Sequence, residues 1–147
     1  MQHAIDAAWP VRTTTAPNPW VGAALLTTDG AVHVGATQPP GGAHAEIGAL
    51  AAAGSDAAGA TLATTLEPCC HAGRTGPCTT AIIEAGVVRV LIGIEDPDKQ
   101  VAGEGIKALR DAGIEVVVGT LSAEVTVQLE PYLHHRKTGR PYVVLKL

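Results

Sequence analysis

The sequence predicts an α/β protein with three layers (α/β/α), in which helices cover both faces of a mixed sheet of about five strands. Two apolar segments flank Asp29-Gly30, a dipeptide typical of tight hairpins, which indicates two antiparallel strands. From residue 61 onward strand-like and helix-like segments alternate, an order that requires crossovers and parallel neighbours. The chain has 147 residues, which is enough for one domain with a substantial core.

Glycine and proline separate most of the predicted elements. In chain order these elements are a helix over 3–9, strands over 21–28 and 31–37, a helix over 43–54, a strand over 61–67, a helix over 78–86, a strand over 87–94, a helix over 103–113, a strand over 114–120 and a helix over 122–135. Ser122 is the predicted N-cap of the last helix, and Pro131 predicts a kink or break within it. Residues 142–147 predict a strand fragment at the end of the chain.

Composition excludes several classes of protein. The formal net charge is −4 and aromatic residues make up 3%, which does not suit a nonspecific nucleic-acid binder. No N-terminal segment resembles a secretion signal, and the apolar runs are too short to span a membrane. The chain has three cysteines, an odd number that argues against a disulfide framework and predicts a cytoplasmic protein.

All three cysteines lie in one segment, TLEPCCHAGRTGPC, at residues 65–78. Cys78 follows Pro77 and is expected in the first turn of a helix, where the partial positive charge favours a thiolate. Cys69 follows a predicted strand, at the end where open α/β sheets usually bind ligands. Two thiolates at such positions are candidate metal ligands.

The best third ligand is His44, in the segment HAE at 44–46. Because residues two apart in a helix point in different directions, His44 and Glu46 share a site only if a helix begins near His44, which the preceding PPGG favours. One histidine and two cysteines leave zinc a fourth position for water, which is typical of a catalytic site. Glu46 is better suited to carrying protons, as in zinc deaminases, although their usual cysteine spacing is shorter.

Simpler interpretations exist for each part of this pattern. An isolated H-x-E is common, and a pair of cysteines can be buried small residues or a redox pair. The combination of all three features favours the metal site. Cys70 is expected not to bind the metal, because two adjacent cysteines cannot easily face one ion.

Five segments follow one another along nearly the whole chain: NPWVG (18–22), GGAHAE (41–46), TLEPCCHAGRTGPC (65–78), DPDKQVAGEGI (96–106) and RKTGRPYVVLKL (136–147). Together they resemble a known family, the riboflavin-biosynthesis pyrimidine deaminases of the cytidine deaminase superfamily. The resemblance implies a cytidine deaminase-like fold over residues 1–140, with residues 141–147 as the stub where a reductase domain starts in the bifunctional family. It also implies a substrate, 2,5-diamino-6-(5-phosphoribosylamino)pyrimidin-4(3H)-one, which loses an amine as ammonia.

The resemblance further implies roles for individual residues. His44, Cys69 and Cys78 would bind one zinc ion, and Glu46 would transfer protons. The implied substrate contacts are Asn18, His71, Arg74 and Asp96. Arg74 is a cation suited to a phosphate, although a solvated loop arginine, a structural His71 and a turn-capping Asn18 are also compatible with the sequence.

The chain departs from the family at Thr37, where many members have His, and at Asp98, where they usually have Asn. Both departures concern contacts to the substrate rather than the zinc. The family normally continues into the reductase domain, so the chain is expected to be either a stand-alone deaminase, with a separate reductase as a possible partner, or a fragment of the bifunctional protein. Self-association into a dimer or higher oligomer is expected by analogy alone.

Two other functions remain open at this stage. The chain could be a deaminase of another base or nucleoside, although its acidic balance and few aromatics argue against a polynucleotide substrate. It could also be a non-catalytic subunit stabilised by zinc, for which Glu46 would have no use.

Overall fold

The sheet in the computed structural model, which describes residues 1–71, 76–98 and 101–146, has five strands and is mixed, as predicted. The strands are β1 (Gly22–Leu26), β2 (Val32–Ala36), β3 (Thr61–Leu66), β4 (Arg89–Ile94) and β5 (Glu115–Val118). The α-helices are α1 (Gln2–Ala8), α2 (Ala45–Ala53), α3 (Cys78–Glu84), α4 (Glu104–Asp111), α5 (Ser122–Gln128) and α6 (Glu130–Thr138). Short 3-10 turns follow α1 at Trp9–Val11 and α2 at Gly54–Ala57.

The strand order is β2-β1-β3-β4-β5. β1 pairs antiparallel with both β2 and β3, and β3, β4 and β5 are parallel. The predicted hairpin and the predicted parallel half are therefore both confirmed. Because β3 and β4 are parallel neighbours, the loops after Leu66 and Ile94 leave the same edge of the sheet.

Two glycines show that helices cover both faces of the sheet. Gly22 in β1 lies against the backbone of Ala4 in α1, and Gly35 in β2 lies against the backbone of Ala45 in α2. Gly35 is paired with Ala23, the neighbour of Gly22 in β1. Since successive residues of a strand point to opposite faces, α1 and α2 lie on opposite sides and the three-layer arrangement is confirmed.

The core is built from aliphatic side chains, as expected for a chain without phenylalanine. Leu25 and Leu62 of the sheet and Ile82 of α3 are fully buried, together with Ile92 and Leu109. Close-packed aliphatic residues on both faces fix the positions of the helix starts and strand ends that carry the polar site.

The last predicted helix is two helices in the structure. α5 and α6 meet at Leu129, and Pro131 lies in the first turn of α6, where the missing N–H of proline costs nothing. The break predicted from Pro131 is therefore correct, but it falls just before that residue. Ser122 is not the N-cap, because Leu121 occupies that position with a positive φ of 52°.

The predicted strand at the end of the chain is wrong for the described residues. Residues 142–146 are irregular, and Val143, Val144 and Leu145 are 70%, 72% and 82% exposed. Tyr142 alone is tied down, by a hydrogen bond from its hydroxyl to Glu130. An apolar segment forms a strand only when a neighbour accepts its backbone hydrogen bonds, and the described part of the chain supplies none here. No helix among the described residues is both long and apolar enough to cross a bilayer.

Candidate metal centre and active site

His44, Cys69 and Cys78 converge, although they lie far apart in the sequence. His44 is the N-cap of α2, Cys69 follows β3, and Cys78 is the first residue of α3. Their ligand atoms all lie within 4.8 Å of one another. His44 Nδ1 is 3.5 Å from Cys69 Sγ and 3.3 Å from Cys78 Sγ.

The start of α3 holds Cys69 in place. The backbone N–H of Cys78 donates to Cys69 Sγ at 3.4 Å, and the N–H of Thr79 donates to the Cys69 carbonyl at 3.1 Å. These N–H groups have no partner within their own helix, so they are free to orient the thiol. Pro77 before α3 fixes the direction from which the chain enters the helix.

The two thiols and the imidazole share protons. A hydrogen bond from Cys78, and then one from His44, holds the pKa of Cys69 well below its usual value, against the effect of burial. The hydrogen bond to Cys69 raises the pKa of Cys78, and burial raises it further. The hydrogen bond with Cys69 also raises the pKa of His44, against the effect of burial. One thiolate therefore forms readily, and a second needs a cation beside it.

The donor set fits a zinc ion. For tetrahedral zinc, bond lengths of about 2.3 Å to sulfur and about 2.0 Å to nitrogen place the nitrogen and sulfur about 3.5 Å apart. The observed separations of 3.3 and 3.5 Å are close to this value. Three ligands from the described residues leave the fourth position of such an ion for water or substrate.

Glu46 lies in the first turn of α2, two residues after His44, and is 3% exposed. Its side chain lines the same cleft as His44 and Cys69. Burial raises its pKa to about 7. A carboxyl group with such a pKa can both accept and release a proton near neutral pH.

The structure places three of the four predicted substrate contacts in this cleft. Asn18, His71 and Asp96 line it together with His44 and Glu46. The fourth, Arg74, lies outside the described residues. Asp96 is buried, and its carboxylate accepts hydrogen bonds from the Tyr132 hydroxyl at 2.9 and 3.2 Å.

The two positions where the sequence departs from the family also line the cleft. Thr37 is buried, and its hydroxyl bonds the backbone of Val21 as donor and as acceptor. Asp98 forms an ion pair with Arg136, in which Oδ2 and Nη1 are 3.3 Å apart. The group of converging ligand atoms consists of His44, Cys69 and Cys78, and that Cys70 does not bind the metal stays a prediction.

Sequence reasoning missed three polar residues that line the cleft: Glu67, Tyr132 and Arg136. The carboxylate of Glu67 accepts N–H bonds from Asp96, Gly103 and Ile106 at 3.0–3.2 Å and so joins the end of β3 to the start of α4. An acidic residue at the end of a buried strand was the available signal for Glu67. No local pattern indicates Tyr132 and Arg136, because they reach the cleft only through the packing of α6.

An α/β fold with one imidazole, two thiols and a buried carboxylate at the carboxyl ends of its strands defines a metal-dependent protein with a catalytic type of site. Residues 1–94 match the cytidine and deoxycytidylate deaminase zinc-binding region, and the chain belongs to that family. The cytidine deaminase-like fold expected from the sequence is confirmed. A dCMP deaminase from the cyanophage S-TIM5 shares this fold, with a TM-score of 0.55 at 23% identity.

More similar relatives carry the name riboflavin biosynthesis protein RibD. The protein from Corynebacterium ammoniagenes is 50% identical over 99% of this chain, and that from Escherichia coli is 45% identical over 100%. Acinetobacter baumannii RibD superposes with a TM-score of 0.91 at 40% identity over 96% of this chain. The superposed part is 40% of the A. baumannii protein. The chain spans only 43% and 40% of the C. ammoniagenes and E. coli proteins.

A Thermotoga maritima structure described as a diaminohydroxyphosphoribosylaminopyrimidine deaminase/5-amino-6-(5-phosphoribosylamino)uracil reductase is equally similar. Its TM-score is 0.91 at 40% identity over 97% of this chain, which corresponds to 41% of that protein. The resemblance to the riboflavin-pathway deaminases seen in the sequence is thus confirmed.

Proposed function

We propose that this chain deaminates 2,5-diamino-6-(5-phosphoribosylamino)pyrimidin-4(3H)-one by zinc-dependent hydrolysis, as a step of riboflavin biosynthesis. The observation that carries the proposal is the convergence of His44, Cys69 and Cys78 in one cleft with the buried Glu46. The RibD relatives, at 45–50% identity over nearly the whole chain, support the choice of substrate.

The three ligands would hold one zinc ion, which in such sites lowers the pKa of a water molecule to about 7. Glu46 then acts as the proton carrier. It takes a proton from the attacking water, whose oxygen bonds to the amine-bearing ring carbon, and delivers that proton to the exocyclic nitrogen. The carbon–nitrogen bond then breaks, ammonia leaves, and the hydroxyl stays on the ring carbon. Its buried position excludes bulk water, and its raised pKa suits both steps.

The remaining cleft residues are proposed to position the substrate. Asn18 offers a donor and an acceptor to the base or ribose, and His71, two residues after Cys69, lines the same cleft. Asp96 is held by Tyr132 and so presents a fixed carboxylate. Arg74 is proposed to contact the phosphate because it is a cation in the segment between the two ligating cysteines.

The rest of the assignment is also a proposal. We place the deaminase domain at residues 1–140 and the start of a reductase domain at 141–147. A separate or attached reductase would consume the product, and the chain is proposed to form a dimer or larger oligomer. We place the protein in the cytoplasm, where both cysteine ligands stay reduced.

The test is ammonia release from the riboflavin precursor by protein whose zinc content has been measured. The same protein is assayed with cytidine, dCMP and free cytosine. Turnover restricted to the precursor supports the proposal. Turnover of a nucleoside instead indicates a different deaminase, and zinc held by four protein ligands without any turnover indicates a non-catalytic subunit.

A further inference from the structure

Among the described residues that line the cleft, acidic side chains outnumber lysine and arginine. Besides Glu46, its described lining includes Glu67, Asp96 and Asp98. Arg136 is the one arginine or lysine among the described residues that line it. A carboxylate whose charge is not neutralised repels an anionic ligand. Binding of such a ligand therefore depends on the hydrogen-bond donors and cations that neutralise each carboxylate.

Two of these carboxylates are compensated by fixed hydrogen bonds. Glu67 accepts three backbone N–H groups, and Asp96 accepts the Tyr132 hydroxyl and the N–H of Asp98. Asp98 itself is held differently. Its Oδ2 pairs with Nη1 of Arg136 at 3.3 Å, and its side chain is 25% exposed, whereas Glu46, Glu67 and Asp96 are buried.

Four residues contact one another in a ring and so fix the position of the Arg136 side chain: Asp96, Asp98, Arg136 and Tyr132. Its guanidinium lies over the ring of Tyr132, 5.3 Å from the centroid, one helical turn back in α6. The Tyr132 hydroxyl donates to Asp96, and Asp96 accepts the N–H of Asp98. Each contact orients the next, so the guanidinium is preorganised beside Asp98.

We propose that Arg136 is a specificity-determining residue, which admits phosphorylated substrates to the cleft by cancelling the charge of Asp98. This inference rests on the proposed function for its natural substrate, but it concerns any ligand that carries a phosphate. Arg136 acts through Asp98 and not on the reacting atoms. Its loss should therefore weaken binding of the phosphorylated ligand and leave the chemical step unchanged.

The experiment combines Arg136→Met, Asp98→Asn and the double variant. The ligands are ribose 5-phosphate and ribose, titrated by NMR at constant ionic strength, and KM and kcat are measured with the riboflavin precursor. Arg136→Met should weaken ribose 5-phosphate binding and raise KM by about tenfold or more, with kcat nearly unchanged. The double variant should return both values to within about threefold of wild type, because the charge of Asp98 is removed together with that of Arg136.

Arg136→Lys, which keeps the charge but not the planar contact with Tyr132, should give an intermediate value. Arg140→Met is the matched control, since it removes an exposed positive charge just beyond α6. Circular dichroism and zinc content equal to wild type establish that each variant is folded.

Several results would overturn the inference. The first is unchanged binding of ribose 5-phosphate in Arg136→Met, and the second is an equal loss of affinity for ribose. The third is a double variant that binds ribose 5-phosphate as weakly as Arg136→Met does, which would mean that Arg136 binds the phosphate itself. A wild-type protein that does not bind ribose 5-phosphate also overturns it. If wild type binds ribose 5-phosphate through Arg136 but does not release ammonia from the precursor, the proposed function fails and the inference stands.

Discussion

Glu46 and His44 are two residues apart and share one cleft because the helix begins between them. His44 has extended backbone angles (φ −74°, ψ 163°), whereas Glu46 is already inside α2. The imidazole therefore turns toward the two thiols while the carboxylate is buried alongside. A helix that began one turn earlier would separate the two side chains.

The first prediction concerns Glu46→Gln. The amide keeps the shape of the side chain but cannot carry a proton, so turnover should fall by about 10²–10⁴-fold while zinc content stays at the wild-type level. Ammonia release and metal analysis measure the two effects. Glu84→Gln, on the exposed surface of α3, is the control. Turnover like that of wild type in Glu46→Gln would remove this residue from the mechanism.

The second prediction separates the adjacent cysteines. Cys70→Ala should bind as much zinc as wild type, because Cys70 lies outside the group formed by His44, Cys69 and Cys78. Cys69→Ala should lose most of the metal, since two ligands remain. Metal analysis after gel filtration distinguishes the two cysteines. A large loss of zinc in Cys70→Ala would show that Cys70 is a ligand of the metal.

At the scale of elements, the buried carboxylate of Glu67 joins β3 to α4. It accepts three backbone N–H groups, two of which, from Gly103 and Ile106, belong to the start of α4. A helix start that is buried without such a partner leaves polar groups unsatisfied. Because Asp96 donates its N–H to the same carboxylate, Glu67 also fixes one wall of the cleft.

The third prediction follows from this junction. Glu67→Gln should lower the free energy of unfolding by about 2–3 kcal/mol, because a neutral amide accepts fewer and weaker hydrogen bonds than a carboxylate. Urea denaturation measures the change. Glu104→Gln, an exposed glutamate in the first turn of α4, should change the stability by less than about 1 kcal/mol. Equal effects of the two substitutions would contradict the role given to Glu67.

The elements that could be predicted from the sequence are those with local signals. Asp29-Gly30 predicts the β1–β2 hairpin, and Pro77 predicts the start of α3, because turn and cap chemistry is decided by neighbouring residues. The strand predicted over residues 142–147, which is wrong for the described residues, had no such local signal. Its apolar pattern is typical of a strand, but whether a strand forms depends on a partner that no local pattern reveals.

The candidate site likewise contains residues that local signals predict and residues that only the fold brings together. His44, Cys69 and Cys78 could be predicted because each follows a turn or a strand end that local residues mark. Arg136 and Tyr132 could not, since α6 reaches the cleft only after α5 has packed on the sheet. The ion pair between Asp98 and Arg136 joins residues 38 positions apart by their numbering, and only the fold brings them together.

On the scale of the whole molecule, the metal site and the hydrophobic core are separate. Leu25, Leu62 and Ile92 are fully buried within the sheet and its helices, whereas the ligands lie at the edge where the strands end. Small metal domains without such a core unfold when the ion is removed. This chain has its own core and should not.

The fourth prediction is therefore that chelation of zinc lowers the thermal midpoint without unfolding the protein at 25 °C. Binding to the folded state alone stabilises by about 4 kcal/mol at a thousandfold excess of free zinc over Kd. For a domain of this size that corresponds to a shift of roughly 8–16 °C. Far-UV circular dichroism at 25 °C should be unchanged, because the sheet and helices do not depend on the ion. His44→Ala should melt at the same temperature with and without zinc, which shows that the shift comes from this site. A metal-free wild-type protein that loses its helical signal at 25 °C would mean that the ion is needed to hold the α2 and α3 starts against the sheet, and that the core alone does not suffice.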